Sequence, residues 1–323
     1  MNDLARRAAA GALLLALAAC SGGAGGGLQS GVNPLPMTAR HRAHAPSKQL
    51  VYVASDYSST GAVYVYSAKG QAQKPIATIT NGIATPGGLA VDASGNLYVA
   101  NASNNTVTVY APGQTTPSAT YSQGISTPMD VAVGNDGTVY VANETGGGSY
   151  SGSISEYPSG SMTPNATILL ANEYAFAVAL DSSNALYVSW FSLSSFGVEI
   201  YKYPTEGSTN GANLNLDLPT YAFPAYALAF DHSGNLVVPY ERLDHKPPKY
   251  LAIFPPGATE PKKKINMGGL MDVVMGLAFP TSGSKLFYVS TSNDHEWVQL
   301  TYPKAIPRDV VNVGSPAGLA LSP

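Results

Sequence analysis

The sequence predicts an all-β chain folded as a six-bladed β-propeller with four strands per blade, and three observations carry that prediction. The composition is poor in charge, at 11%, and rich in turn formers and β-favouring residues, with 33 Gly, 24 Pro and 20 Tyr. That balance suits short strands joined by many turns better than long amphipathic helices. A motif of apolar strand, polar turn and second strand, first seen complete in Gly87–Asn101, recurs along the chain. Aligned on the alanine in its first strand, the copies place Ala90, Ala132, Ala179, Ala229, Ala278 and Ala320 at gaps of 42, 47, 50, 49 and 42 residues, the spacing of propeller blades. Finally, the first unit lacks its opening strand, and the chain finishes on a lone copy of that strand.

Residues 1–19 read as a secretory signal outside the fold. Arg6 and Arg7 supply the positive start, and the apolar run Ala8–Ala19 is too short to span a bilayer. It leads into Leu17, Ala18, Ala19 and Cys20, which resembles the lipobox of bacterial lipoproteins. The resemblance implies cleavage before Cys20, lipidation of this sole cysteine and anchoring by two or three acyl chains. An ordinary signal peptide with a chance cysteine is the alternative. Ser21 after the cysteine suggests, by the same analogy, the outer membrane of a host with two membranes, facing either side. Residues 20–47 form a Gly/Ser/Pro-rich tether. The run from Gly22 to Gly27 lacks the flanking strand and helix of a dinucleotide fingerprint. Without residues 1–19, 15 basic side chains face 19 acidic ones, so nucleic acid is not an expected partner.

The propeller is expected over 48–323. Leu50–Ala54, Val63–Tyr66 and Ile76–Thr80 read as strands B, C and D of a first blade without strand A. The second unit supplies Leu89–Val91, Leu97–Ala100, Thr106–Tyr110 and Ala119–Tyr121 as strands A to D, alternating with the period of two that a sheet face requires. Polar A-to-B turns return at Asp92–Asn96, Asn135–Gly137, Asp181–Asn184, Asp231–Asn235 and Ser282–Ser284. Strand C ends on an aromatic followed closely by proline at Tyr110, Tyr157, Tyr203, Phe254 and Tyr302. The closing strand, 318–322, is expected to pair with the first three strands and leave no open edge. The segments PGGLAVDASGNLYVAN, PMDVAVGNDGTVYVAN and AYALAFDHSGNLVV resemble NHL-type six-bladed propellers, over roughly Gln49–Pro323. The resemblance implies the fold; its members include lyases, lactonases, ligand binders and protein-docking platforms.

In such propellers the D-to-A and B-to-C loops surround one mouth of the central channel. The residue three before each register alanine gives Gly87, Met129, Phe176, Tyr226, Met275 and Ala317. This ring is apolar, with Asp130 as its one nearby carboxylate; it reads as channel packing or as an apolar ligand or peptide groove. Strand B ends at Ser55, Asn101, Asn143, Trp190, Tyr240 and Thr291, where the asparagines either cap a loop or meet a ligand. The B-to-C loops of blades five and six carry Glu241, Asp244 and His245, and Asp294, His295, Glu296 and Trp297. These groups suffice for an acid–base pair or a divalent metal, though solvated loops carry such charges routinely. His232 lies on the opposite face, and Lys262–Lys264 mark the outer strand of blade five, where charge discourages edge pairing.

The leading expectation is a lipid-anchored envelope propeller, monomeric and non-enzymatic, that binds an envelope protein, a peptide or a glycan. Met129, Phe176, Trp190, Phe191, Tyr226, Tyr240, Met275 and Trp297 would form its face. No cofactor is expected there. The competing expectation resembles the streptogramin lyase and gluconolactonase propellers: a metal-assisted lyase or lactonase, with His245, Asp294 and His295 as ligands and Glu241 or Glu296 among the acid–base candidates.

Overall fold

The computed structural model describes residues 49–323 except 57–60, 69–73, 147–150, 205, 220–221, 223, 242–248, 268–272, 281–284 and 292–295. Strands β1 (Leu50–Ser55), β2 (Ala62–Ser67) and β3 (Ala77–Ile79) begin blade one. Blade two is β4 (Pro86–Val91), β5 (Leu97–Asn101), β6 (Thr106–Tyr110) and β7 (Ala119–Tyr121). Blade three is β8 (Pro128–Val133), β9 (Val139–Asn143), β10 (Ser153–Tyr157) and β11 (Ala166–Leu169). Blade four holds β12 (Glu173–Leu180), β13 (Leu186–Ser192), β14 (Gly197–Tyr203) and β15 (Ala212–Asn213). Blade five holds β16 (Ala229–Phe230), β17 (Leu236–Tyr240), β18 (Tyr250–Phe254) and β19 (Lys263–Asn266). Blade six holds β20 (Val274–Ala278), β21 (Leu286–Thr291), β22 (Glu296–Thr301) and β23 (Ile306–Asn312), and the chain returns to blade one as β24 (Pro316–Leu321).

The result is six antiparallel four-stranded sheets, the first ordered β24-β1-β2-β3. The closure foreseen in the sequence is present. Val51 pairs with Leu321, Tyr52 with Ala320, Val53 with Leu319 and Ala54 with Gly318. Leu50 N–H donates to Ser322 Oγ at 2.7 Å, and Ser322 N–H returns a bond to the Leu50 carbonyl at 2.9 Å.

Six apolar clusters fill the spaces between neighbouring blades. One joins Val63, Val65 and Ile79 of blade one to Leu89, Leu97 and Tyr110 of blade two. The last joins Trp297 and Val311 of blade six to Val51, Val53 and Leu319 of blade one. Each blade therefore buries both faces, and the strength of the ring is the sum of its interfaces.

The innermost strands approach most closely two residues before the register alanine, a place held by Gly88, Asp130, Ala177, Ala227, Gly276 and Gly318. A Cβ on Gly276 would stand 2.5 Å from the Leu319 amide nitrogen, and one on Gly318 would stand 2.4 Å from the Gly87 carbonyl. The glycines at this place leave no room for a side chain against the neighbouring blade. Asp130 occupies the equivalent position in blade three, against Gly88, where a Cβ would collide with its carboxylate.

Two of the aromatics that end strand C, Tyr110 and Tyr157, have a second task besides packing. Tyr110 OH donates to the Asn81 carbonyl at 2.6 Å, and Tyr157 OH donates to the Gln123 carbonyl at 2.5 Å. Each ring fills an interface while its hydroxyl holds the linker entering its own blade. Tyr110→Phe should therefore cost about 1 kcal/mol, read as a lower urea midpoint at unchanged slope.

Candidate binding face at the channel mouth

Register breaks in the innermost strands fall at residues expected to line the mouth. The pairing skips between Pro86 and Leu89, between Pro128 and Asp130, between Ala175 and Ala177, and between Val274 and Gly276. The residues left out of the ladder include Gly87, Met129, Phe176 and Met275, which belong to the apolar ring expected from the repeat. A bulge frees one residue from pairing and turns its side chain out of the sheet's alternation. In blade five the inner strand is only Ala229–Phe230, so Tyr226 lies in irregular chain ahead of it.

Aromatic rings gather on the blade-four side. Phe176 meets Tyr226 at 5.0 Å between centroids, and Tyr174 and Phe191 at 6.4 Å each, all edge-on. Tyr174 and Phe191 oppose one another in the β12–β13 ladder, which places both on the blade-five side of the sheet. Tyr174, Phe191 and Tyr226 remain half-buried, whereas Phe176 at the centre is buried. Phe196, on the hairpin beyond Phe191, is 51% exposed.

Three carboxylates on blades three and four titrate far above the usual carboxylate range. Burial pushes Asp130 up to about 7, even though the Val131 and Val178 amides donate to it at 2.9 and 3.0 Å. Burial likewise pushes Glu144 up to about 7. Glu173 also reaches about 7 through burial, partly offset by a Ser192 hydrogen bond and reinforced by the Glu199 charge; its Oε2 atom has no partner. Burial first, and then the Glu144 carboxylate, raise the Tyr226 phenol well above its ordinary value. Asp130 and Tyr226 are both half-buried.

Other expected site residues are placed differently. Trp190 is 0% exposed and Trp297 3%. Trp190 points into the interface with blade three, beside Ala142 and Ile154. Trp297 belongs to strand β22 and not to a loop, and packs on Tyr66 and Tyr288 at 5.5 and 6.0 Å. Strand alternation turns both indoles inward, so neither is an anchor on the face. Tyr240 is buried against Tyr250, with ring centroids 5.5 Å apart. Glu241 is buried and ion-pairs with Lys249 at 3.6 Å, and Glu296 is a half-buried strand residue. His245, Asp294, His295 and Cys20 lie outside the described residues. Among the described residues, no three His, Cys, Asp or Glu side chains are grouped to hold a metal ion, and no helix is long and apolar enough to cross a membrane.

Asn101 and Asn143 act as caps. Their Oδ1 atoms accept the Ala84 and Ser126 amides at 3.1 and 3.0 Å, holding the loop that enters the blade and not the one that follows strand B. Glu144 and Tyr174 went unnoticed as site residues in the sequence. Glu144 follows the capping asparagine at the head of a Gly/Ser-rich stretch, and no motif marks either residue.

A family model for the NHL repeat matches residues 84–110, which hold strands A to C of blade two. No curated protein matches the chain. Among solved structures it is similar to a chain of a nidogen/laminin complex, with TM-score 0.61 and 14% identity over 85% of this chain and 98% of that one. A Bacteroides caccae protein of unknown function gives TM-score 0.61 and 12% identity over 85% and 99%. Kuenenia stuttgartiensis hydrazine synthase gives 0.58 and 15% over 80% and 82%. At such identities the likeness is one of fold: a six-bladed β-propeller with an NHL-repeat region.

Proposed function

We propose that the chain is an exported, lipid-anchored propeller of the cell envelope whose channel mouth is a non-catalytic docking platform for another protein or a peptide. In this reading residues 1–19 are a lipoprotein signal, Cys20 carries the anchor, 20–47 is the tether and 48–323 is the propeller. The observation that carries it is the ring group Tyr174, Phe176, Phe191 and Tyr226 at the mouth, three of them half-buried. Half-covered aromatics at a rigid opening are what protein-binding faces concentrate. Met129 and Met275, also half-buried, extend the apolar rim with side chains that adapt to a partner's shape. The similar chain from a nidogen/laminin complex supports the reading by analogy of fold. Anchoring is supported by the lipobox-like Leu17–Cys20.

Photo-crosslinking from position 196 of the full chain in its native envelope tests the platform. A discrete crosslinked band is expected, reduced at least tenfold by Phe191→Ala together with Tyr226→Ala. A band that persists in the double variant, or no band at all, removes the reading. Fatty-acid labelling lost on Cys20→Ser is the matching expectation for the anchor.

A further inference from the structure

We infer that the mouth receives a cationic side chain, an arginine or lysine of the partner polypeptide, which pairs with Glu144 while its stem lies against Tyr226 and Phe191. This rests on the docking reading above and specifies the chemistry of what docks.

The inference begins with an unpaired charge. Glu144 is 4% exposed, and its carboxylate makes no hydrogen bond or ion pair with any described residue. Its own amide is tied to the Thr127 carbonyl at 3.0 Å, so the backbone is held just beyond the end of strand B, beside the start of the inner strand. A buried carboxylate without a partner is a costly arrangement, and three other carboxylates have the partners that Glu144 lacks. Asp130 accepts two amides, Glu156 accepts the Gly207 amide with both oxygens, and Glu241 has Lys249.

The second observation is what surrounds that charge. Tyr226 is close enough for the Glu144 carboxylate to bear on its phenol, and Tyr226 stands edge-on to Phe176, which in turn meets Phe191. Rings beside a carboxylate in a largely desolvated opening hold a cation in two ways: the carboxylate supplies the ion pair, and the ring faces attract positive charge. An anionic or purely apolar occupant would leave Glu144 buried and uncompensated. A cation on a long apolar stem satisfies both the charge and the rings, and arginine suits it best because its planar head is weakly hydrated and stacks on aromatics.

The test uses fluorescein-labelled hexa-arginine as probe, hexa-citrulline as its uncharged near-isostere, and the full chain in detergent, followed by fluorescence polarisation. Hexa-arginine should bind at least tenfold more tightly than hexa-citrulline. Glu144→Gln should erase that difference, Tyr226→Ala should weaken hexa-arginine at least fivefold, and Tyr226→Phe should keep most of the binding. Glu260→Gln, an exposed carboxylate on the loop before β19, controls for general attraction to an acidic protein and should change nothing. Glu144→Gln removes a buried charge and is expected to fold, with circular dichroism confirming it. Equal binding by Glu144→Gln, or equal losses in Glu144→Gln and Glu260→Gln, overturns the inference. A crosslinked partner indifferent to Glu144→Gln would sink the cation site and leave the platform standing. Glu144-dependent peptide binding without any envelope crosslink would do the reverse.

Discussion

Deleting residues 318–323 will leave a chain that no longer melts cooperatively, because it removes most of the strand that turns six sheets into a ring. The deletion strips Val51–Ala54 of their β24 partners and takes Leu319 and Ala320 out of the two interfaces that flank blade one. Losing a buried leucine alone costs about 2–5 kcal/mol, and each orphaned backbone hydrogen bond adds about 1 kcal/mol. The sum rivals the whole stability of an ordinary domain, about 5–15 kcal/mol. Gly318→Val asks the same question in a full-length chain, since its Cβ would stand 2.4 Å from the Gly87 carbonyl and 3.0 Å from Gly88 Cα. Both atoms are backbone of the neighbouring blade, so the clash cannot be relieved by a rotamer change. Ser322→Ala loses only the hydroxyl that accepts the Leu50 amide and should cost about 1 kcal/mol. Thermal melts followed by circular dichroism decide the matter. A truncated chain with the parent's midpoint would mean that β24 does not close the ring.

The ring was readable in the residues because its causes are local and repeated. Gly88-Leu89-Ala90, Gly276-Leu277-Ala278 and Gly318-Leu319-Ala320 spell one inner strand three times, and the glycine in each is demanded by the neighbouring blade: by Leu319 and Gly87 backbone at Gly276 and Gly318, and by Asp130 at Gly88. The turn chemistry is equally local: Asp92, Asp181 and Asp231 each accept backbone amides two and four residues on. The mouth positions followed from the same register, and Met129, Phe176 and Met275 fall at breaks in the inner ladder. What the repeat could not convey is the direction of side chains at strand ends. Trp190 and Tyr240 hold equivalent positions at the end of strand B and were expected to offer themselves to solvent, yet both turn into blade interfaces. Nor could spacing reveal Glu144, whose importance lies in what fails to surround it. Absence of a partner is a property of three-dimensional packing and leaves no trace in sequence.

That absence has a consequence for stability that runs opposite to the usual carboxylate behaviour. A glutamate of ordinary value 4.5 that titrates at about 7 when folded still holds its proton between those limits, while the unfolded chain has released it. The folded state therefore binds more protons across this window, and stability falls as pH rises from about 4.5 to about 7. Below the window both states are protonated and the penalty is absent; above it both are ionised and the penalty is constant, roughly 3 kcal/mol for Glu144. Asp130 and Glu173 act in the same sense over nearly the same range. Asp231 sets the acid limit: burial raises it, but bonds from Tyr302, Asn235 and Ser233 outweigh burial and lower it, so its contribution is lost as pH falls below the ordinary aspartate range. Maximum stability is thus expected at about pH 4–5. Glu144→Gln should raise stability at pH 8 by about 2 kcal/mol, the amide's own desolvation consuming part of the gain, and should leave it little changed at pH 4. Urea titrations at the two pH values measure both quantities. A variant no more stable than the parent at pH 8 would show that the Glu144 charge is already compensated, and with it would go the reason for a cation at the mouth. A protein that keeps a charge where it weakens the fold is the pattern of a site in which stability has been exchanged for binding.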